Sequence, residues 1–161
     1  MNTEIKQVQT ETDAQRVYEF LISPAAFPWE MNEYRKKSRH DGVFGSLTKD
    51  HARFWYAQRE GQVLGAIGVT ELPRENGGYE LDYFAVHADA RRGGIGKRLM
   101  HEVEEFVKQL RGRFIVIDTG GEDDCAPARA FYESCGYKAV GRIPEYYGPG
   151  EDRIDYYKRI N

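Results

Sequence analysis

The residues Arg91-Arg92-Gly93-Gly94-Ile95-Gly96-Lys97 combine two arginines, three glycines and a lysine in one short stretch. These residue types are suited to holding a pyrophosphate. Glycine lets main-chain N–H groups approach an anion closely. A helix start presents unpaired donors and partial positive charge, and arginine adds full charge with paired donors. Two other phosphate loops fit worse. A P-loop requires Gly-x-x-x-x-Gly-Lys-Ser/Thr, and Arg98 follows Lys97 here. A dinucleotide fingerprint requires Gly-x-Gly-x-x-Gly, and Leu99 stands where the third glycine belongs. An ATP- or NAD-binding protein is therefore disfavoured. From the loop alone a second reading stands beside the phosphate seat: a glycine turn with solvated arginines.

The elements around the loop must place it. A strand-like run over 81–86 precedes it. A helix follows over 95–110, with Ile95, Leu99, Val103, Phe106 and Leu110 at helical spacing. Earlier, residues 4–9 read as a strand with Ile5 and Val8 as its apolar members. Thr12 with Gln15 matches a capping box, opening a helix that stops near Ile22 at Ser23-Pro24. Residues 24–50 read as irregular, with one or two short helices. They are rich in aromatics and charges (Phe27, Trp29, Met31, Tyr34, Arg35-Lys36-Lys37), and such segments often carry binding groups.

Residues 52–58 and 62–71 predict a hairpin around Glu60-Gly61, and Gly77-Gly78 turns the chain into a strand over 79–86. The nearly all-apolar run 113–118 predicts a strand buried on both faces, in parallel pairing. Asp123 or Asp124 can cap a further helix, with Pro127 in its first turn and Gly136 at its end. Strands are expected over 137–143 and 153–159, with a loop over 144–152 between them. The order predicts an α/β fold (an α+β mixed sheet) of about seven strands with helices on both faces, as one domain over 1–161.

At 161 residues the chain suits a single substantial core, and 40% hydrophobic with 30% charged residues is ordinary for a globular protein. A net charge of −3 argues against nucleic acid as the main partner. No apolar run is long enough to span a bilayer, and MNTEIKQVQTETD lacks the apolar stretch of a signal peptide. A cytoplasmic protein without a membrane partner is expected, working as a monomer or homodimer. Cys125 and Cys135 form neither a disulfide framework nor a zinc pattern, and His40, His51, His87 and His101 lack ligand spacing. No metal is expected.

Two segments carry a family resemblance. LDYFAVHADARRGGIGKRLM resembles the acetyl-CoA motif of the GNAT superfamily of N-acetyltransferases: a strand, then Arg/Gln-x-x-Gly-x-Gly/Ala, then a helix. Arg91, Gly94 and Gly96 occupy the three defined positions. ARAFYESCGYKAVGR resembles the second family motif, through Ala128, Phe131, Tyr132, Glu133, Gly136 and Tyr137. The resemblance covers roughly residues 78–159, and residues 1–50 carry little of it. One departure stands out. Where many relatives have an Asn seven residues before the helix tyrosine, this chain has Cys125. Cys125 reads as an inert thiol, since no basic partner is evident.

The resemblance implies acetyl-CoA as cosubstrate and direct acetyl transfer to an amine. It implies that the pantetheine arm enters between the strand of Phe84, Ala85 and Val86 and the strand over 113–118, bonding the strand edge as an added strand would. N–H groups of Phe84 or Val86 would polarise the thioester carbonyl. The loop from Arg91 through Arg92, Gly93, Gly94, Ile95 and Gly96 to Lys97 would hold the pyrophosphate. Tyr132 is the candidate donor to the departing thiolate. With reference pKa values near ~10 for a phenol and ~8.5 for a thiol, it is expected to act as a hydrogen-bond donor unless its pKa is lowered.

For the base, strand alternation puts Glu80, Asp82, Phe84 and Val86 on one face if no bulge intervenes. Glu80 resembles the base of histone-type relatives, and Asp118 sits where ribosomal N-terminal acetyltransferases carry an acid. Glu80 is slightly favoured, a base that is neither of them stays open, and Asp82 reads as a structural or electrostatic carboxylate. Residues 24–40 and 144–152 would shape the acceptor site. Tyr146-Tyr147 resembles the tyrosine pair that grips peptide backbones, and a packed strand edge is the plainer reading of that pair. The acceptor is a primary amine, either a peptide N-terminus or a small molecule. An α-amine near ~8 is about 10% neutral at pH 7, so a weak base suffices more easily for it than for a lysine-like amine near ~10.4. The rival reading is a domain that binds acetyl-CoA as a sensor without turnover.

Overall fold

The computed structural model describes residues 2–161. Seven strands form one mixed sheet: β1 (Glu4–Gln7), β2 (Ala52–Arg59), β3 (Gln62–Glu71), β4 (Gly78–Val86), β5 (Phe114–Gly120), β6 (Lys138–Gly148) and β7 (Glu151–Arg159). Four helices join them: α1 (Glu11–Leu21), α2 (Glu33–Gly45), α3 (Ile95–Gln109) and α4 (Ala126–Ser134). The strand order is β1-β2-β3-β4-β5-β7-β6. The pairings β1/β2, β2/β3, β5/β7 and β6/β7 are antiparallel, and β4/β5 is parallel. The seven-stranded mixed sheet matches the fold class expected from the sequence. The chain divides into two compact units. The first runs to Glu71 and resumes over Asp82–Phe106; the second comprises Leu72–Leu81 and Val107–Asn161.

In the first unit, α1 buries Ala14, Val17, Phe20 and Leu21 in a core with Val8, Val43, Phe54, Tyr56, Ala66 and Ala85. Its capping box is Thr10 with Asp13, not Thr12 with Gln15. Thr10 is the residue in extended conformation, and the Asp13 carboxylate accepts the N–H groups of Gln9 and Thr10, both at 3.1 Å. Gln15 lies inside the helix and bonds Glu19 instead. The segment read as irregular contains a full helix, α2, capped by Asn32. Its periodicity was hidden because the buried positions are only Arg39 and Val43. Gly65 lets α3 approach β3 and β4. A Cβ there would stand 3.0 Å from Leu99 Cδ1 and 3.2 Å from both Ile95 Cγ2 and the Ala85 carbonyl. This packing seats the first turn of α3, and hence the glycine loop, on the sheet.

In the second unit, β5 pairs in parallel with β4 over Gly78–Glu80 and antiparallel with β7 along its length. Burial on β5 alternates, with Ile115 and Ile117 inside and Asp118 exposed, so the expectation of two buried faces is corrected. When both faces carry apolar residues, a period of two leaves no trace in the sequence. The residues Asp123 and Asp124 lie in a 3-10 turn ahead of α4 and do not cap it. Cys125 occupies the cap position, and its side chain makes no capping bond to the helix. Pro127 does sit in the first turn, and Gly136, at φ +88°, ends the helix.

The loop expected over 144–152 is largely strand. β6 continues to Gly148 through a register shift after Ile143. Asp152 holds the irregular stretch by accepting the Glu145 N–H at 2.9 Å and Arg142 Nε at 2.6 Å. Tyr146 and Tyr147 therefore stand on a strand edge near a turn rather than in a free loop.

Candidate active site

The first unit holds the glycine loop. After β4 a 3-10 turn, Ala88–Ala90, begins at His87, whose Nδ1 accepts the Asp89 N–H. The Arg91 side chain folds back, and its Nε donates to the Val86 carbonyl at 3.2 Å. Arg92 (φ +65°) and Gly94 (φ +80°) are both left-handed, which coils the chain tightly into α3. The first turn of α3 contains no acidic residue and includes Lys97. A Cβ on Gly94 would meet nothing within 4 Å, so the main chain there stands open to a ligand. This arrangement fits a diphosphate: consecutive helix-start N–H groups, two flanking cations and no carboxylate in the first turn of the helix. Beside the loop a cavity of about 380 Å³ is lined by Arg59, Gln62, Leu64, His87, Asp89, Arg91, Gly93 and Ile95. Of the expected arm-binding residues, Ala85 is buried and Phe84 and Val86 are half-buried.

Along Glu80–Phe84 every residue is half-buried, so exposure does not alternate as a flat strand would require. Asp82 accepts a hydrogen bond from Thr70 Oγ1 within the first unit, which agrees with its reading as a structural carboxylate.

The second unit gathers Glu80, Asp118, Tyr132 and Tyr147. Burial pushes the Glu80 carboxyl up, the negative field of Asp118 adds to this, and Arg153 opposes it. Tyr147 Oη donates to Asp118 Oδ2 at 2.6 Å. Burial and then this bond raise the Tyr147 phenol above its ordinary range. Tyr132, from α4, is 7% exposed and packs against the rings of Phe131, Tyr137 and Tyr156. Burial raises its phenol strongly, and the field of Asp118 adds to that. The rise moves Tyr132 further from a proton-releasing acid and keeps it a hydroxyl donor.

Sequence reasoning missed Arg153 and Asp155. Arg153 Nε bonds Asp155 Oδ1 at 2.7 Å, and its guanidinium lies 4.9 Å from the Tyr146 ring centroid. Burial lowers the Arg153 pKa, but the bond to Asp155 and the fields of Asp118 and Asp155 outweigh it, so the group stays charged. The signal that could have found them is period-two alternation on the last strand, with Asp155 opposite Asp118 in register. Cys125 behaves as an inert thiol. Burial and the neighbouring Glu122 raise its pKa, and its Sγ lies 3.4 Å from Glu122 Oε1.

The second unit thus presents a raised carboxylate, an acceptor carboxylate bridged to a phenol, and a buried neutral phenol. That set can take a proton, hold a cation and donate a hydrogen bond to a developing anion.

The acetyltransferase (GNAT) family profile matches residues 14–137. IAA acetyltransferase of Azospirillum brasilense is 30% identical over 116 residues, covering 72% of this chain and 73% of that protein. N-alpha-acetyltransferase RimI of Mycobacterium tuberculosis is 27% identical over 141 residues, covering 86% and 80%. Other curated relatives are much longer. The chain spans 43% of human N-acetyltransferase 8, at 30% identity over 60% of its own length. Among solved structures, a GNAT-family protein of Desulfovibrio desulfuricans superposes with a TM-score of 0.87 at 23% identity, over 99% of this chain and 100% of that one. An aminoglycoside 6'-N-acetyltransferase complexed with coenzyme A superposes at 0.78 with 21% identity, over 100% and 98%. The sequence match and the shared fold lead to one conclusion: the chain belongs to the acetyltransferase (GNAT) family.

Proposed function

We propose that the chain is an acetyl-CoA-dependent N-acetyltransferase that transfers the acetyl group directly to a primary amine, on a peptide N-terminus or a small molecule. The observation carrying this reading is the grouping of Glu80, Asp118, Tyr132 and Tyr147 in one electrostatic network. Family membership supports acetyl-CoA as the donor, and when bound it supplies an activated thioester. Backbone N–H groups from Arg92 to Lys97 hold its diphosphate, with Arg91 and Lys97 adding charge. Phe84, Ala85 and Val86 supply strand-edge groups to its arm.

Glu80 takes the proton of the incoming ammonium. An ordinary glutamate near ~4.3 is too weak a base for this, and its raised pKa narrows the gap. Asp118, already bonded to Tyr147, attracts the ammonium and fixes that phenol. Tyr132 keeps its proton and donates a hydrogen bond to the departing sulfur. Tyr146 and Tyr147 flank the amine.

The test is a panel of primary amines assayed for release of free CoA. Release with peptide α-amines or small amines is expected. Tight acetyl-CoA binding without release from any amine would overturn the proposal in favour of a sensor.

Glu80→Gln carries a second expectation, readable in both rate and stability. The acid limb of kcat/KM in the wild type should lie above ~4.3, because Glu80 works as a base only above its raised pKa. The variant should lose that limb and about 10²-fold in rate. The stability effect has the opposite sense. A carboxyl with a raised folded pKa binds its proton more tightly in the folded chain, so stability falls as pH climbs from the ordinary glutamate value through the raised one. Above the raised value that penalty is fully present. Glu80→Gln should therefore melt at the same temperature or higher by calorimetry at pH 7. A lower Tm together with an unmoved acid limb would remove Glu80 as the base.

A further inference from the structure

One strongly basic group in the first unit is left uncompensated by the fold. Arg39 on α2 is 7% exposed, yet among the described residues neither it nor Arg35 forms a salt bridge. Their neighbours do pair: Lys36 with Glu33, and Lys37 with Asp41. The Arg39 guanidinium lies between aromatic rings, 4.7 Å from the Tyr83 centroid, 5.0 Å from Phe27 and 5.7 Å from Trp29. Its Nη1 donates to the Arg35 carbonyl at 3.2 Å, and its Nε is buried with no hydrogen-bond partner. Arg35, exposed, lies over the same Trp29 ring, 4.8 Å from its centroid.

This arrangement costs stability. A buried cation without a counter-charge forfeits its hydration, and an unsatisfied buried donor adds to the penalty. Two like charges at i and i+4 on one helix repel, and the field of Arg35 does act against the charged form of Arg39. Aromatic faces recover only part of this. A ligand with two acceptor oxygens would relieve all three defects at once.

The shape of the site favours a flat group. Rings flank the guanidinium, and Tyr83 is fixed by a hydroxyl–hydroxyl bond to Ser38. A carboxylate can lie in the guanidinium plane and accept two parallel N–H bonds. Trp29, at 43% exposed, and Tyr34, at 79%, offer apolar surface to whatever carries that carboxylate.

We propose that Arg35 and Arg39, backed by Phe27, Trp29 and Tyr83, form a binding site for the carboxylate of a small organic acid.

The site can be tested by thermal shift and titration calorimetry with 3-phenylpropionate and 4-aminobutyrate, each against its neutral amide. Both acids are expected to raise the melting temperature and both amides to leave it unmoved. Arg35→Gln and Arg39→Met should each weaken acid binding about ten- to hundredfold, the range of a lost charge-assisted bond. Ligand-free Arg39→Met should melt no lower than the wild type, because a stranded charge leaves an apolar slot. Turnover separates the two sources of the carboxylate. If it belongs to the acceptor, 4-aminobutyrate is acetylated faster than 4-aminobutanamide, and Arg35→Gln erases the preference. If it belongs to a separate ligand, the two amines are used equally while the acids still bind. Equal shifts with acids and amides, undiminished acid binding in both variants, or stronger binding of inorganic phosphate would overturn the proposal.

Discussion

Gly94→Val is expected to abolish acetyl-CoA binding while leaving a folded protein. Gly94 sits at φ +80°, where a side chain costs about 1–2 kcal/mol, and more for a β-branched one. That strain alone should lower the Tm by several degrees without unfolding a chain of this size. The larger effect is local. Protein atoms leave the space around a Gly94 Cβ empty, so the valine methyls meet no neighbour in the fold. They would instead occupy the approach to the helix-start N–H groups, holding the diphosphate off by more than hydrogen-bond length. Calorimetric titration with acetyl-CoA should show affinity reduced by at least about a hundredfold, as expected when several charge-assisted bonds are lost together. Gly150→Val is the matched control. Gly150 has a similar φ of +76° with equally open surroundings, in the β6–β7 turn. It should repeat the strain penalty and leave acetyl-CoA affinity intact. Affinity in Gly94→Val within threefold of the wild type would show that the diphosphate does not rest on this loop.

The contrast between these two glycines marks how far the sequence could be read. Gly94 was legible because arginines and a helical apolar stripe surround it. Strand existence was legible even where both faces are buried, as in the β2–β3 hairpin, because the Glu60-Gly61 turn separates two apolar runs, and boundaries there moved by one residue at most. Legibility failed where a side chain rather than periodicity sets the structure. Asp152 turns 144–152 from apparent loop into bulged strand by capturing the Glu145 N–H, and no pattern of apolar residues encodes that bond. Asp13 moves the start of α1 in the same way. α2 is expected from the sequence only as one or two short helices without bounds, because an arginine occupies its buried stripe, where pattern reading expects leucine or valine. In the second unit, Tyr132, Glu80, Asp118 and Tyr147 could be nominated from motif resemblance. Arg153 and Asp155 could not, since their role depends on the register of β7 against β5.

Tyr132→Phe is expected to lower kcat by about 10²-fold, within the ten- to thousandfold range of a lost proton donor, with little change in fold. Phenylalanine keeps the ring contacts to Phe131, Tyr137 and Tyr156 and removes only the hydroxyl, so the stability change should stay near about 1 kcal/mol. The pH profile distinguishes two ways the hydroxyl could act. A phenol that surrenders its proton to the thiolate would need a pKa near that of the sulfur, ~8.5, and would impose a basic limb on kcat in that region. Burial and the field of Asp118 push Tyr132 the other way, well above its ordinary value. The hydroxyl is therefore expected to stay neutral across the assay range and to contribute as a fixed donor. The Phe variant should show a profile of unchanged shape and reduced height between pH 6 and ~9.5, measured as CoA release under saturating amine. Loss of a basic limb in the variant would make Tyr132 a titrating acid. Unchanged turnover would leave it a packing residue of α4.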